Sequence, residues 1–411
     1  MRPVVILVAA HICSMLGFAT FAALLPQLRD AWSLTNAQAG TVGGLFFVGY
    51  VASVSVWTTL TDRGDGRQIY GAGSMVAAVG SAGFAVFARG FVSAMCFQAL
   101  LGIGIGGTYM PGLRLLSDRI TGPKQSRAIA FYTASFGVGT ALSLALAGAV
   151  ASRLGWRTAF LVAAAGPIVA GTLVVGFLAP LRVARTPRPI ALVPFKSWGP
   201  ILRNRNALAY VVGYAVHCLE LFGSRSWMVA FLTFSAAVQA AGRAFPWSAQ
   251  TIAAVVNLLA VPASILGNEA AIRVGRRRWI LLAMAASGSS GILLGFSAPW
   301  HWAAVSALLA LYSMLVMADS ATLTAGLVAT APSELRGSAM GIYSLAGFGG
   351  GMLGPIVFGA ALDAAGGASR PLAWIAGYAS IGAGCLAAPL VARWFGVRSS
   401  LSARSVSASG R

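Results

Sequence analysis

"TDRGDGR", residues 61–67, carries four charged side chains in seven positions, in a chain of 411 residues of which only 9% are Asp, Glu, Lys or Arg. The runs on either side of it hold almost no charge. A polar knot between such runs marks a turn that stays in water while its flanks do not. The composition agrees. The chain is 58% hydrophobic with a mean hydropathy of +0.79, and a soluble domain of that balance would lack the polar skin it needs. Apolar runs of about 20 residues, the length a helix needs to cross the hydrocarbon core, recur along the whole chain. The sequence therefore predicts an all-α integral membrane protein with many spans.

Marking those runs gives twelve spans, near 4–25, 38–60, 69–88, 93–113, 128–150, 158–180, 207–229, 249–267, 279–298, 302–328, 338–361 and 372–392. The stretch 1–27, with Arg2 followed by apolar residues, imitates a signal peptide, but its apolar part is too long for one and reads as the first span. With both termini inside, 21 Arg and Lys residues fall on inner segments and six on outer ones. That asymmetry is the positive-inside signal, so N and C termini and the opening stretch are expected in the cytoplasm. It also accounts for the net charge of +20 without nucleic acid, because the arginines sit in gaps between spans rather than along one element. Cys13, Cys96, Cys218 and Cys385 lie inside apolar runs without metal spacing, and read as buried packing residues. The Pro-rich basic segment near the middle divides the chain into an N-terminal six-helix bundle (1–181), a cytoplasmic linker (182–206), a C-terminal six-helix bundle (207–392) and a cytoplasmic tail (393–411).

The second half repeats the knot as "GNEAAIRVGRRR", residues 267–278. Placing Gly66-Arg67 on Gly275-Arg276 gives an offset of 209 residues, and the same offset carries Arg127 onto Arg336 and Ala130 onto Ala339. Two loops agreeing on one offset indicate a duplicated six-span unit. On these residues the chain resembles the major facilitator superfamily, over about 390 of its 411 residues. The family's loop between spans 2 and 3, G-x-x-x-D-R-x-G-R-[RK], is matched by Asp62, Arg63, Gly66 and Arg67, with Thr58 where glycine is usual and Asp65 as an extra residue. The second copy keeps Gly267 and Gly275 but has Ala271 in place of the acid. The resemblance implies two pseudo-symmetric bundles around a midplane site. It also implies that Asp62, with Arg63, Gly66, Arg67 and Arg127, forms a conformational latch on the cytoplasmic side; a carboxylate near a helix N-terminus and arginines facing phosphates or carboxylates suit that role.

One motif is a decoy. "GIGIGG" contains a literal G-x-G-x-x-G at Gly102, Gly104 and Gly107, but it lies within an apolar run where no phosphate loop can form, so its glycines are expected to permit close helix packing. No cofactor and no metal are expected. Gln98 stands where the family's fourth span often begins with arginine, so that arginine's proton role is not carried over. Span 5 lacks the proline of the antiporter pattern, whereas "GGGMLGP" (349–355) lies on span 11.

Ionisable residues inside spans mark a pathway. His217, Glu220 and Ser224 share one face of span 7, Arg225 is displaced from them, Asp319 lies on span 10, His11 on span 1 and Arg114 near the inner end of span 4. The resemblance implies that spans 1, 4, 7 and 10 line the cavity. A carboxyl group buried at mid-membrane can exchange a proton near neutral pH, so Glu220 and Asp319 are the proton-coupling candidates. Arg225 is the leading substrate ligand because guanidinium suits oxyanions, with His217, His11 and Arg114 as further candidates. The sequence thus predicts a secondary transporter, not an enzyme, that moves a small organic or inorganic anion with protons. Proton-driven efflux of drugs or metabolites is the alternative. The expected partners are the solute, protons and the lipid bilayer, with a monomeric state and no nucleic acid. Arginine-rich, lysine-poor usage (27 to 2) points to a GC-rich genome and a bacterial inner membrane.

Overall fold

A computed structural model describes residues 2–181, 195–239, 245–332 and 335–394. Most of the expected linker (182–194) and most of the expected tail (395–411) lie outside these residues. Among the described residues the protein is all helix and loop. In chain order the helices are α1 (Arg2–Ser14), α2 (Thr20–Ala31), α3 (Asn36–Arg63), α4 (Gly66–Phe87), α5 (Phe91–Ser117), α6 (Pro123–Phe177), α7 (Phe195–Arg203) and α8 (Arg205–Val238). They continue as α9 (Ala249–Val274), α10 (Arg276–Phe296), α11 (Trp302–Met317), α12 (Ser320–Thr330), α13 (Arg336–Ala364) and α14 (Pro371–Trp394).

Eleven helical stretches among the described residues are long and apolar enough to cross a membrane. One of them, Arg127–Phe177, has 51 residues, more than twice what a bilayer needs. It is broken at Gly155, whose φ of 82° only glycine adopts readily, and splitting it there yields the twelve expected spans. The chain turns alternately on two faces. Arg2, the Gly64–Asp65 turn and Gly275 lie on one, called the near face below. Residues 32–35, 88–90, 297–301 and 365–370 lie on the other, the far face.

Two spans are discontinuous. Span 1 loosens into a 3₁₀ turn over Met15–Gly17 between α1 and α2, and span 10 unwinds at Ala318–Asp319 between α11 and α12. A break at membrane depth frees backbone groups that need partners. Ser143 of α6 supplies them for span 1, accepting from Ala19 N at 3.0 Å and donating to Leu16 O at 2.6 Å. The Trp279 indole of α10 does so for span 10, donating to Ala318 O at 2.9 Å. The breaks are thus built into the packing.

Within the first half, α3 and α4 pack on α5, and α1 and α4 on α6; within the second, α8 packs on α13 and α10 on α14. The halves meet through α3 against α13, α6 against α9 and α2 against α8. Gly102, Gly104 and Gly107 sit where α5 meets α3 and α4, so near their backbones that a Cβ on Gly107 would lie 2.7 Å from Gly73 Cα. The glycine-rich stretch is a packing seam, as expected. Between the halves, α7 buries Trp198 and Ile201 against the second half. The four cysteines are free; Cys218 and Cys385 are buried as expected, whereas Cys13 is half-buried and Cys96 exposed.

Candidate functional site

A cavity of about 490 Å³ lies between the two halves, and its lining extends toward the near face through Ala130, Ser264 and Met340. Ten of its 27 lining residues are aromatic, although the chain as a whole is 10% aromatic. Among the described residues that line it, Arg225 of α8 carries the only charge. The Arg225 guanidinium lies 3.7 Å from the Met317 thioether, a weak acceptor, and no carboxylate pairs with it among the described residues. Arginine keeps its charge even here, so the cavity presents a guanidinium in want of an oxyanion.

Aromatic pairs that cross between the halves form the cavity floor. Phe47 and Phe222 have ring centroids 4.4 Å apart, and Tyr50 and Phe348 4.6 Å. Behind this floor, toward the far face, Gln98, Thr140, Ser226 and Asn257 line a void of about 40 Å³ that Arg225 also reaches. Gln98 is 2% exposed and its Nε2 has no partner.

The acids predicted to couple protons do not line this cavity. Glu220 points away from it, toward the outer helices of the second half. Its Oε2 accepts from Ser287 Oγ of α10 at 2.8 Å and from Cys385 Sγ of α14 at 3.1 Å, while Oε1 has no partner. His217 Nδ1 lies 2.7 Å from Asp319 Oδ1, an ion-pair approach rather than a well-angled hydrogen bond. His217, Glu220 and Asp319 are each 2% exposed. The cluster therefore sits inside the second half, behind the cavity wall. Membership of a lining span did not bring these side chains to the cavity, because a helix has a back as well as a front. Asp319 is nevertheless linked to it: it occupies the break in span 10, whose flanking residues Met317, Ser320 and Ala321 are all in the cavity wall.

His11 is fully buried, 2.7 Å from Ser135 Oγ through Nδ1 and stacked on Tyr132 with centroids 4.7 Å apart. It is enclosed within the first half and does not reach the cavity. Arg114 donates to Thr58 O at 3.1 Å and Thr61 Oγ1 at 2.9 Å, which ties α5 to the last turns of α3. It joins the knot at residues 61–67, not the central site.

At that knot, Asp65 caps α4 by accepting from Arg67 N at 3.0 Å and pairs with the Arg67 guanidinium at 2.6 Å. The Arg67 hydrogen bonds hold the Asp65 carboxyl below its usual range. Arg67 also donates to Leu178 O at 2.8 Å, so its partners lie within the first half. Gly66 packs against Leu115, and Arg63 and Arg127 are exposed. The Asp62 side chain lies outside the described residues.

Sequence reasoning passed over Ser287 and Cys385, which give no polar signal in an apolar run, and the aromatic lining, which reads as ordinary core. "LFFVGY" (45–50) supplies three lining aromatics within five residues, a cluster that could have been noticed.

Comparison with known proteins agrees with this architecture. Residues 7–249 match the sequence pattern of the Major Facilitator Superfamily. A protein of Cupriavidus pinatubonensis described as "Probable 4-methylmuconolactone transporter" is 29% identical over 149 residues, 34% of this chain and 33% of that protein. The "Niacin transporter NiaP" of Acinetobacter baylyi is 24% identical over 139 residues, 34% of this chain and 31% of that protein. The alignments thus span about a third of each of these relatives. Among solved structures, a bacterial homolog of the human lysosomal transporter Spinster, inward-facing and unoccupied, superposes with a TM-score of 0.74 at 16% identity, covering 96% of this chain and 95% of that one. A peptide transporter POT in complex with sulfate does so with a TM-score of 0.75 at 13% identity and the same coverage. With a family pattern matched over more than half its length and the fold shared end to end, the chain belongs to the Major Facilitator Superfamily.

Proposed function

We propose that the protein is a secondary transporter that carries a small planar carboxylate across the membrane by alternating access, coupled to protons. The observation that carries this reading is the Arg225 guanidinium, set in an aromatic cavity and without a carboxylate partner among the described residues. A carboxylate would complete it with charge-assisted hydrogen bonds, while aromatic walls favour a flat, unsaturated body through stacking. A single guanidinium suits a monoanion, since a second carboxylate would be desolvated without a partner. 4-Methylmuconolactone and niacin, in the names of the two relatives, are both small ring carboxylates.

Proton coupling is assigned to Glu220, Asp319 and His217. Protonation of Asp319 would loosen its approach to His217 and let the break in span 10 shift, moving Met317 and thereby the surroundings of Arg225. Glu220, with one oxygen unpartnered, is the neighbouring site for a second proton. The near face is the cytoplasmic one by the distribution of basic loops, with the chain divided at 1–181 and 207–392 into bundles that rock about the site. Asp62 with Arg63, Gly66, Arg67 and Arg127 keeps the role of a near-face latch, engaged when that face closes. Drug efflux is the second reading, because a cavity with ten aromatic residues would also receive a lipophilic cation.

The test uses the purified full chain in liposomes loaded with a pH dye. Nicotinate or benzoate added to wild type should acidify the lumen, and Glu220→Gln should abolish the response. Alkalinisation on adding a lipophilic cation would replace the carboxylate reading with efflux.

A further inference from the structure

We propose that Asp363 is the latch of the far gate: its bonds to the start of α3 hold that side of the cavity shut and must break whenever the site opens there. This rests on the alternating-access reading above. The helices concerned, α3 and α13, are the pair through which the two halves meet most extensively. Toward the near face they are parted by the cavity beyond Tyr50 and Phe348. Toward the far face they touch backbone to backbone. A Cβ on Gly44 would lie 2.6 Å from Met352 O, and Gly40 and Gly359 face the carbonyls of Pro355 and Asn36 more closely still. Surfaces this smooth have few interlocking side chains to resist separation, so a specific bond is needed to hold them.

Asp363, in the last turn of α13, supplies it. Its Oδ1 accepts from Asn36 N at 3.1 Å and Asn36 Nδ2 at 2.7 Å, and its Oδ2 accepts from Ala37 N at 2.8 Å. The first N–H groups of a helix have no partner inside it. In α3 the third is taken by the helix's own cap, Thr35 Oγ1 accepting from Gln38 N at 3.1 Å. The first two are left to a carboxylate from the other half of the molecule, where the helix dipole also favours negative charge. Arg29 donates to Asn36 Oδ1 at 3.0 Å and so sets the amide that faces Asp363; Arg29 itself pairs with Asp30 at 2.9 Å. Asp363 remains exposed, so water can replace these bonds when the helices part. Asp62 occupies the last turn of α3, at the opposite end of the same helix pair. One pair of helices thus carries a carboxylate at each end.

The experiment reads the gate directly. Spin labels are placed at Arg89→Cys and Pro299→Cys, exposed turns of the far face in the first and second halves, with Cys13 and Cys96 replaced by serine in the full chain. Electron–electron distances are measured in lipid nanodiscs without solute or gradient. Loss of a capping carboxylate should raise the far-open population about five- to tenfold in Asp363→Ala, and similarly in the isosteric Asp363→Asn, which guards against misfolding. Thr35→Ala removes the cap of α3 without touching the bond between halves and should leave the distances unchanged. An unchanged distribution in both Asp363 variants, or an equal shift in Thr35→Ala, overturns the proposal. Because no solute is present, the outcome does not depend on whether Arg225 binds a carboxylate. Failure of that reading in the liposome assay leaves this result standing.

Discussion

His11 and His217 occupy the first spans of the two halves, and each has its Nδ1 2.7 Å from a side-chain oxygen. In the first half that oxygen is the Ser135 hydroxyl, and aromatic rings close around the imidazole. In the second it is the Asp319 carboxylate, with Glu220 on the same helix nearby. The 209-residue offset carries His11 onto Glu220, one turn from His217, so the first spans of the two halves bear different chemistry in the same neighbourhood. A hydroxyl offers the ring a neutral hydrogen-bond partner, whereas a carboxylate offers it a charged one. Under the proposed coupling, the second half would hold the proton machinery and the first half would serve as its packed counterpart.

The largest effects should come from the second half. Glu220→Gln and Asp319→Asn are expected to reduce gradient-driven uptake to background while leaving solute exchange measurable without a gradient; retained acid-driven uptake in both variants would remove the coupling assignment. Arg225→Met should weaken carboxylate binding about 10- to 100-fold, the worth of hydrogen bonds to a charged group, as read by tryptophan fluorescence titration with nicotinate. Affinity equal to wild type would show that the cavity binds its solute elsewhere.

Smaller effects sharpen the contrast. Ser135→Ala, which removes the partner of His11, should lower the melting temperature by a loss of about 1–2 kcal/mol without altering the pH dependence of transport. Ser287→Ala, which removes a partner of Glu220, should displace that pH dependence at little cost in stability. If Ser135→Ala moved the pH profile and Ser287→Ala did not, the two halves would have exchanged roles. The smallest effect is expected at the near-face turn, where Asp65→Ala should cost about 1 kcal/mol, the usual worth of a cap. Its carboxyl is held low in the folded state. The contribution is therefore present above the ordinary carboxylate range and lost as pH falls through the lowered value, so the melting difference should vanish in acid.

Much of the fold was legible because a bilayer imposes a length on every span and pushes charge into the turns. "TDRGDGR" and the twelve apolar runs carried that information, and the 209-residue offset exposed the duplication. Less of the site could be read. The sequence pointed to Glu220, Asp319, His217 and Arg225 as buried charges, since each is rare and costly inside a span. It did not say that Arg225 alone among them faces the cavity, nor that Ser287 and Cys385 hold Glu220. Asp363, one of only nine acids in the chain, went unnoticed because it sits at the end of a span, where a charge needs no explanation.

Composition and spacing alone established that the chain crosses the membrane many times, that its two halves echo each other and that charge is confined to the turns and a few positions within the spans. Those properties follow from composition and spacing, which every residue of an apolar run helps to set. Helix packing set which side of each helix meets the cavity, where spans 1 and 10 break, and that a carboxylate of α13 caps a helix more than 300 residues away, Asp363 to Asn36. Such pairings depend on the rotation and crossing of packed helices, and no local pattern records them.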